Sequence, residues 1–387
     1  MSRQPLSPSP DIIRLVDEGH EVEIRQDYLL VGHLPHLNAQ RQVCYGTLVV
    51  ALNVEADIIK PPKTHAIYFI GAFPCNRDGS PIKQLGQGGG GELIPGLQYN
   101  HAFSHKPKSG YSDYYAQVTR YIEVISEQAQ AVDPTATAIT YKPLVAKRED
   151  SVFNYYDTNS TRAKIGVISA KAKGRKIAIV GVGGTGSYVL DLTAKTPVDE
   201  IHVFDGDKFS QHNAFRSPGA PTLEQLGAST PKVAYFGDIY SRMRMGIHQH
   251  PYYVTAANVH ELADMDFVFI CVDDGPAKKI VVDFLVAQGK SFIDVGLGLQ
   301  VHDGKLLGIV RATTSTPAKR DHFAKLVSFA EARDDIYNTN VQIAELNMLN
   351  AAMAVVKWKK LCDIYHDVER EHDSTYTINV NMLLSDE

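Results

Sequence analysis

The sequence predicts an α/β protein: a doubly wound, mostly parallel sheet preceded by a smaller α+β domain. Three observations predict it. From about Lys164 onward, short apolar runs alternate with helical segments, as strands buried on both faces do. A glycine-rich turn, "VGVGGTGSY", joins the first of those runs to a helix. Before residue 145 the pattern is different, with β-branched and aromatic runs followed by one long helix.

The 387 residues accommodate two domains at roughly 100–200 residues each. The change of pattern divides them at 1–145 and 146–387. In the first, "EVEIRQDYLLVGHL", "YGTLVVALNV" and "KTHAIYFIGAF" read as strands. Gly86–Gly96 reads as a loop with a flexible run at Gly88–Gly91. "YSDYYAQVTRYIEVISEQAQAV" reads as a helix with Ser112 as its cap, because Tyr115, Val118, Tyr121, Ile122 and Ile125 recur at helical spacing. In the second domain "KIAIVG", "EIHVFD", "DFVFICV" and "KSFIDVG" are the central strands, and "LLGIVRAT" is a further one. A long late helix follows over "NVQIAELNMLNAAMAVVKWKKL", and "YTINVNML" reads as a closing strand.

Composition narrows the function. A hydrophobic fraction of 44% and a charged fraction of 21% suit a globular core. The net charge of -5 gives no electrostatic case for nucleic acid as a partner. The longest apolar run, "FVFICV", is far too short for a membrane span. The polar, proline-rich start "MSRQPLSPSP" does not read as a signal peptide. Cys44, Cys75, Cys271 and Cys362 lie far apart with no C-x-x-C, so neither a four-cysteine zinc site nor a disulfide framework is expected. A reduced cytoplasm is the expected compartment, with no zinc.

The chemistry begins at "KIAIVGVGGTGSYVLDLTA", which is strand, then Gly181-x-Gly183-Gly184-x-Gly186, then helix. Glycine lets the chain turn tightly and lets a phosphate approach main-chain N–H groups at the helix start. Asp205 follows at the end of the next strand, where a carboxylate can take a ribose hydroxyl pair. That much suits both a nicotinamide-dependent dehydrogenase and an enzyme that activates a substrate with a nucleotide. Further residues then fall in order: Asp207, Asn213, Arg216, Lys232 and, at a later strand end, Asp273 followed by Asp274.

This set resembles the ThiF/MoeB family, the adenylating domain of ubiquitin-activating enzymes. That family carries a GxGGxG turn, a D-x-D ending the second strand, S-N-L-x-R, a lysine and a strand-ending T-D-N. The D-x-D matches Asp205 and Asp207, the asparagine and arginine Asn213 and Arg216, and the lysine Lys232. Asp273 matches the aspartate of T-D-N, with Asp274 in place of its asparagine. The resemblance runs from about residue 155 to the C-terminus.

The resemblance implies a Rossmann-like fold, ATP and Mg²⁺ as cofactors, and adenylation of the C-terminal glycine carboxylate of a ubiquitin-like or sulfur-carrier protein. It casts Gly181, Gly183, Gly184, Gly186, Asp205, Asp207, Asn213, Arg216 and Lys232 as the nucleotide site. Arg216 suits phosphate with its planar fork, Lys232 with a point charge, and Asp273 suits Mg²⁺ with hard oxygen. The bland alternatives are a surface ion pair for Arg216, a solvated helix residue for Lys232 and a helix cap for Asp273. The family also commonly forms homodimers that lend an arginine across the interface, for which Arg162 is the candidate. The apolar stripe Leu346, Leu349, Met353 and Val356 on the late helix suits a homodimer or plain core.

The sequence also departs from the family. The stretch where relatives place a thioester cysteine, "RATTSTPAKRDHFAKLVSFAEARDDIYNTN", holds none, and the zinc-binding cysteine pairs are missing. Adenylation without a thioester step of its own is therefore expected, with a separate conjugating enzyme as a further partner. The first domain is similar to one preceding adenylating modules in bacterial operons that encode ubiquitin-like proteins, which suggests partner binding and antiphage defence. Cys75 there reads as a loop cysteine or as an acyl-accepting thiol. Two readings from other classes stay open: a nicotinamide-dependent oxidoreductase, and a scaffold that binds without catalysis.

Overall fold

The computed structural model describes residues 9–386 apart from 56–57, 87, 108–109, 144–150, 164 and 331–340. The chain forms two compact units, residues 1–145 and 146–387.

In the first unit the strands Val22–Arg25, Tyr28–Leu37, Val43–Ala51, Ala66–Ile70 and His101–Ser104 form an antiparallel sheet in that order. The helix Tyr114–Gln130 lays Tyr114, Val118, Tyr121 and Ile125 against Leu29, Val31, Leu48 and Phe103 on one face. Its cap is Asp113, one residue beyond Ser112. The Asp113 carboxylate accepts the Ala116 N–H at 2.7 Å, and the Ser112 hydroxyl donates to that carboxylate at 2.9 Å. A charged acceptor at a helix N-terminus outcompetes a neutral hydroxyl because it also meets the helix dipole. The glycine loop is shorter than its composition suggests. Gly91–Ile94 pairs with Leu97–Tyr99 as a hairpin that covers Leu30 and Val49 on the sheet's other face.

In the second unit eight strands form one sheet. They are β1 (Lys176–Val180), β2 (Glu200–Phe204), β3 (Ile247–His250), β4 (Phe267–Ile270), β5 (Ser291–His302), β6 (Lys305–Ser315), β7 (Asp373–Thr377) and β8 (Met382–Asp386). Their order is β3-β2-β1-β4-β5-β6-β7-β8. The first five run parallel, and β5 to β8 continue as an antiparallel meander. The doubly wound, mostly parallel expectation holds. The closing strand is instead two strands, β7 and β8, because Asn381 at φ 50° reverses the chain between them.

Alternate residues of the parallel strands feed two cores. Ile177, Ile179, Ile201, Val203 and Phe269 meet helices α1 (Gly184–Ala194), α2 (Lys232–Ser241) and α4 (Ala344–Leu361), with Trp358 of α4 fully buried among them. Ala178, Val180, Phe204, Val268 and Ile270 meet helix α3 (Gly275–Ala287) on the other face. Helix α4 buries Asn347, Asn350, Ala351, Ala354 and Val355; Leu346, Leu349 and Met353 are half-buried and Val356 is exposed.

Candidate nucleotide site

The sheet order reverses direction at β1, between β2 and β4. In an open parallel sheet, ligands bind outside the strand ends at such a point. The glycine turn follows β1, Asp205 follows β2 and Asp273 follows β4, so three of the predicted segments border that place.

The four glycines serve different ends. Gly181 has φ +90°, a conformation other residues resist. A Cβ on Gly186 would run into the Gly181 carbonyl, and one on Gly184 into the amide groups of Asn347 and Gln342. Those three close the turn and pack α1. Gly183 is different: among the described residues a Cβ there meets nothing within 4 Å. The space over Gly183, the residue preceding α1, is open.

Asp205 braces the turn. Its Oδ2 accepts the Val182 N–H at 2.9 Å and its Oδ1 accepts the Asp207 N–H at 2.8 Å. An ionised carboxylate keeps further lone pairs for a ribose. Lys232, the first residue of α2, is buried rather than solvated. Its ammonium donates to Asp207 Oδ2 at 2.6 Å and lies 3.6 Å from Asp205 Oδ1. That bond and one from the Tyr253 hydroxyl hold the Asp207 carboxyl below its ordinary range. The same bond pushes the Tyr253 phenol up to about 12.

Asn213 and Arg216 follow Asp205 on the segment after β2. Asn213 Oδ1 caps the helix Gln211–Ala214 by accepting the Ser210 N–H at 2.9 Å. Among the described residues its Nδ2 is buried with no partner, and so is Nε of half-buried Arg216. Asn347 of α4 ties the assembly together. It accepts the Thr185 hydroxyl at 3.0 Å and donates to the Arg216 carbonyl at 3.1 Å. Gln342 Oε1, beside Gly184, is buried and has no partner among the described residues. Buried polar groups are ordinarily satisfied, so these three atoms suit a ligand with both acceptors and donors.

Asp273 is exposed after β4. It does not cap α3; Asp274 does, accepting the Ala277 N–H at 2.7 Å. Arg162 ends the short helix Thr158–Arg162 and is exposed. Sequence reasoning missed Asn347, Gln342 and Tyr253. A signal for the first existed: Asn347 and Asn350 stand three apart on an otherwise apolar helical face.

The thiols are quiet. Burial pushes the Cys75, Cys271 and Cys362 thiols up. Cys75 is buried, its Sγ donates to the Phe73 carbonyl at 3.3 Å, and its backbone bridges to Leu37 and Pro81. The first part of the cysteine-free stretch, Arg311–Ser315, belongs to β6, and 331–340 lie outside the described residues. A cavity of about 600 Å³ lined by Phe153, Ser160, Lys173, Asp199 and Gly246 lies at the opposite, N-terminal edge of the parallel strands.

Residues 122–374, more than half of the chain, match the ThiF family. The chain belongs to that family. Residues 10–158 match a domain of unknown function, DUF6791. Among solved structures this ThiF-family chain is similar to E. coli MccB with MccA-N7isoASN, at 17% identity and TM-score 0.46 over 57% of this chain and 66% of that one. It is likewise similar to E. coli MccB with ATP (17%, TM-score 0.44, 57% and 66%) and to PaaA (14%, TM-score 0.45, 57% and 75%). These are likenesses of fold. No curated protein matches the chain.

Proposed function

We propose that residues 146–387 bind ATP over the glycine turn and adenylate the C-terminal carboxylate of a small protein, ubiquitin-like or sulfur-carrier in kind. The observation that carries this reading is one coincidence in space. There is open room over Gly183; Asn347 hydrogen-bonds both Thr185 beside it and the carbonyl of Arg216, whose Nε has no partner among the described residues, and the buried ammonium of Lys232 lies by Asp205, which holds the turn. Attack of a carboxylate oxygen on the α-phosphorus, with pyrophosphate leaving, joins one anion to a polyanion. Such a step needs positioned cations more than an acid or base. Arg216 supplies a planar donor set and Lys232 a point charge.

Mg²⁺ suits the same place. Asp273 offers an exposed carboxylate at the β4 end, the hard oxygen ligand this ion takes. When bound there, the ion would neutralise phosphate charge. A homodimer that brings Arg162 to the partner's site is part of this reading, and exposed Met348 and Val356 on α4 support an interface. The raised thiols support adenylation without a thioester on this chain, so a separate conjugating enzyme is the next partner. The first unit serves that partner or the carrier.

Exchange of labelled pyrophosphate into ATP, assayed with candidate glycine-terminated carrier proteins, tests the reading. Exchange that needs the carrier and survives replacement of all four cysteines supports it. Exchange that disappears with Cys75 or Cys271 alone, in a chain of normal stability, contradicts it.

A further inference from the structure

The structure assigns a second, separate site: a zinc-type divalent cation held by Glu200, His202 and His248 at the edge of the parallel sheet. β3 is the edge strand, and it runs parallel to β2 with His202 opposite His248 and Phe204 opposite His250. Alternate residues of a strand share a face. The sequences "EIHVF" and "IHQH" therefore place Glu200, His202, His248 and His250 on one patch.

The geometry is that of a metal ligand set. One ligand atom from each of Glu200, His202 and His248 lies within 4.8 Å of the others. His202 Nε2 is 3.1 Å and His248 Nε2 3.8 Å from the same oxygen, Glu200 Oε2. A tetrahedral zinc with arms of ~2.0–2.1 Å spaces its ligand atoms about 3.3 Å apart. Glu200 Oε1 is taken by Lys176 at 3.0 Å, which leaves Oε2 for the cation.

Hydrogen bonding gives a second, independent observation. The Tyr252 hydroxyl donates to Glu261 Oε2 at 2.7 Å, so its oxygen accepts from His250 Nδ1 at 2.8 Å. His250 Nε2 and His202 Nδ1 lie 3.0 Å apart, so one hydrogen bond joins the two rings. His202 Nδ1 is thereby engaged, and its Nε2, 3.1 Å from Glu200 Oε2, faces the ligand position. A ligating histidine whose other nitrogen is hydrogen-bonded outward is the usual arrangement at metal sites.

The donor set chooses the ion. Two imidazoles and one carboxylate suit zinc and its transition-metal neighbours, whereas Mg²⁺ takes oxygens. The absence of zinc expected from the sequence concerned cysteine pairs, and no cysteine takes part here. Three protein ligands leave a fourth position to water, which reaches the half-exposed Glu200 and the exposed His248. The cation would pin the edge strand to β2, the strand that leads into Asp205.

The test uses the full chain, stripped with chelator and titrated with Co²⁺ and with Zn²⁺. We expect one equivalent of Co²⁺ with the visible absorption of a tetrahedral site. Zn²⁺ should displace it and raise the melting temperature, and Mg²⁺ should do neither. His248→Ala, at an exposed position, and Glu200→Gln, which keeps a polar partner for Lys176, should each weaken Zn²⁺ binding on the order of tenfold or more. Both stripped variants should melt near the stripped wild type. No binding by the wild type, or binding unchanged in both variants, overturns the site.

Discussion

Buried charge divides the two units. Among the described residues of the first, the buried polar side chains are neutral or histidine: His20, His36, Gln117 and Ser126. The second buries Asp205, Lys232, Arg244, Lys278, Asp294, Lys357, Glu371 and Asp373. Removing an ion from water costs several kcal/mol even after relaxation, so each of these needs a local reason. Arg244 has a structural one. Its guanidinium donates to the carbonyls of Met245, Thr196, Val198 and Asp199, and burial holds its pKa down to about 10. Asp294 likewise sits between Lys278 at 2.8 Å and Arg311 at 2.6 Å. At Asp205 and Lys232, buried charge coincides with partnerless polar atoms and with open space. The comparison teaches that buried charge alone does not mark a site; buried charge beside unmet hydrogen bonds and room for a ligand does.

The largest expected effect tests that distinction. Arg216→Ala and Lys232→Ala should each lower pyrophosphate exchange on the order of 10²-fold or more, as removing one transition-state charge contact does. Arg244→Met should do the reverse. It should destabilise the chain by about 3 kcal/mol or more by leaving several carbonyls without donors, read from denaturant unfolding. The protein that remains folded should bind ATP as the wild type does. Equal loss of exchange and of stability in all three would erase the contrast.

The thiols sharpen it from the other side. With their thiols pushed up by burial, Cys75, Cys271 and Cys362 carry little thiolate at neutral pH. Iodoacetamide applied to the native chain should label half-exposed Cys44 first, as peptide mapping will show. Fast labelling of Cys75 would restore it as an acyl acceptor. The smallest effect is in pH. The Asp207 carboxyl is lowered in the folded chain, so its pairing adds stability above the usual carboxylate pKa and loses it as pH falls through the folded value. The melting-temperature gap between wild type and Asp207→Asn should therefore close between about pH 4 and lower. Half the Asp207 side chain is exposed, which keeps this gap small.

How far these features could be read in advance follows from their physics. β1, β2, β4 and β5 were legible because strands buried on both faces must be apolar. The glycine turn was legible because positive φ at Gly181 and the close approach at Gly186 demand glycine. β3 escaped notice: "IHQH" is polar because an edge strand need not be apolar on its open face. The pair β7 and β8 escaped because the left-handed residue between them is Asn381 and not glycine. Asn213, Arg216 and Lys232 were found by their order along the chain. Asn347 and Gln342 come from more than a hundred residues further on, and only folding brings them to Gly184. Asp273 and Asp274 are adjacent in sequence, and spacing did not decide which caps α3.

Calorimetric titration of ATP with Mg²⁺ into the wild type and into Gly183→Val tests the central claim most directly. Open space at Gly183 leaves room for an added Cβ, and the branches of a valine extend from it into the room left for phosphate. The account predicts that Gly183→Val melts near the wild-type temperature and loses ATP binding, and that NADH does not bind either chain. Unchanged ATP affinity in a well-folded Gly183→Val, or tight NADH binding by the wild type, would contradict it.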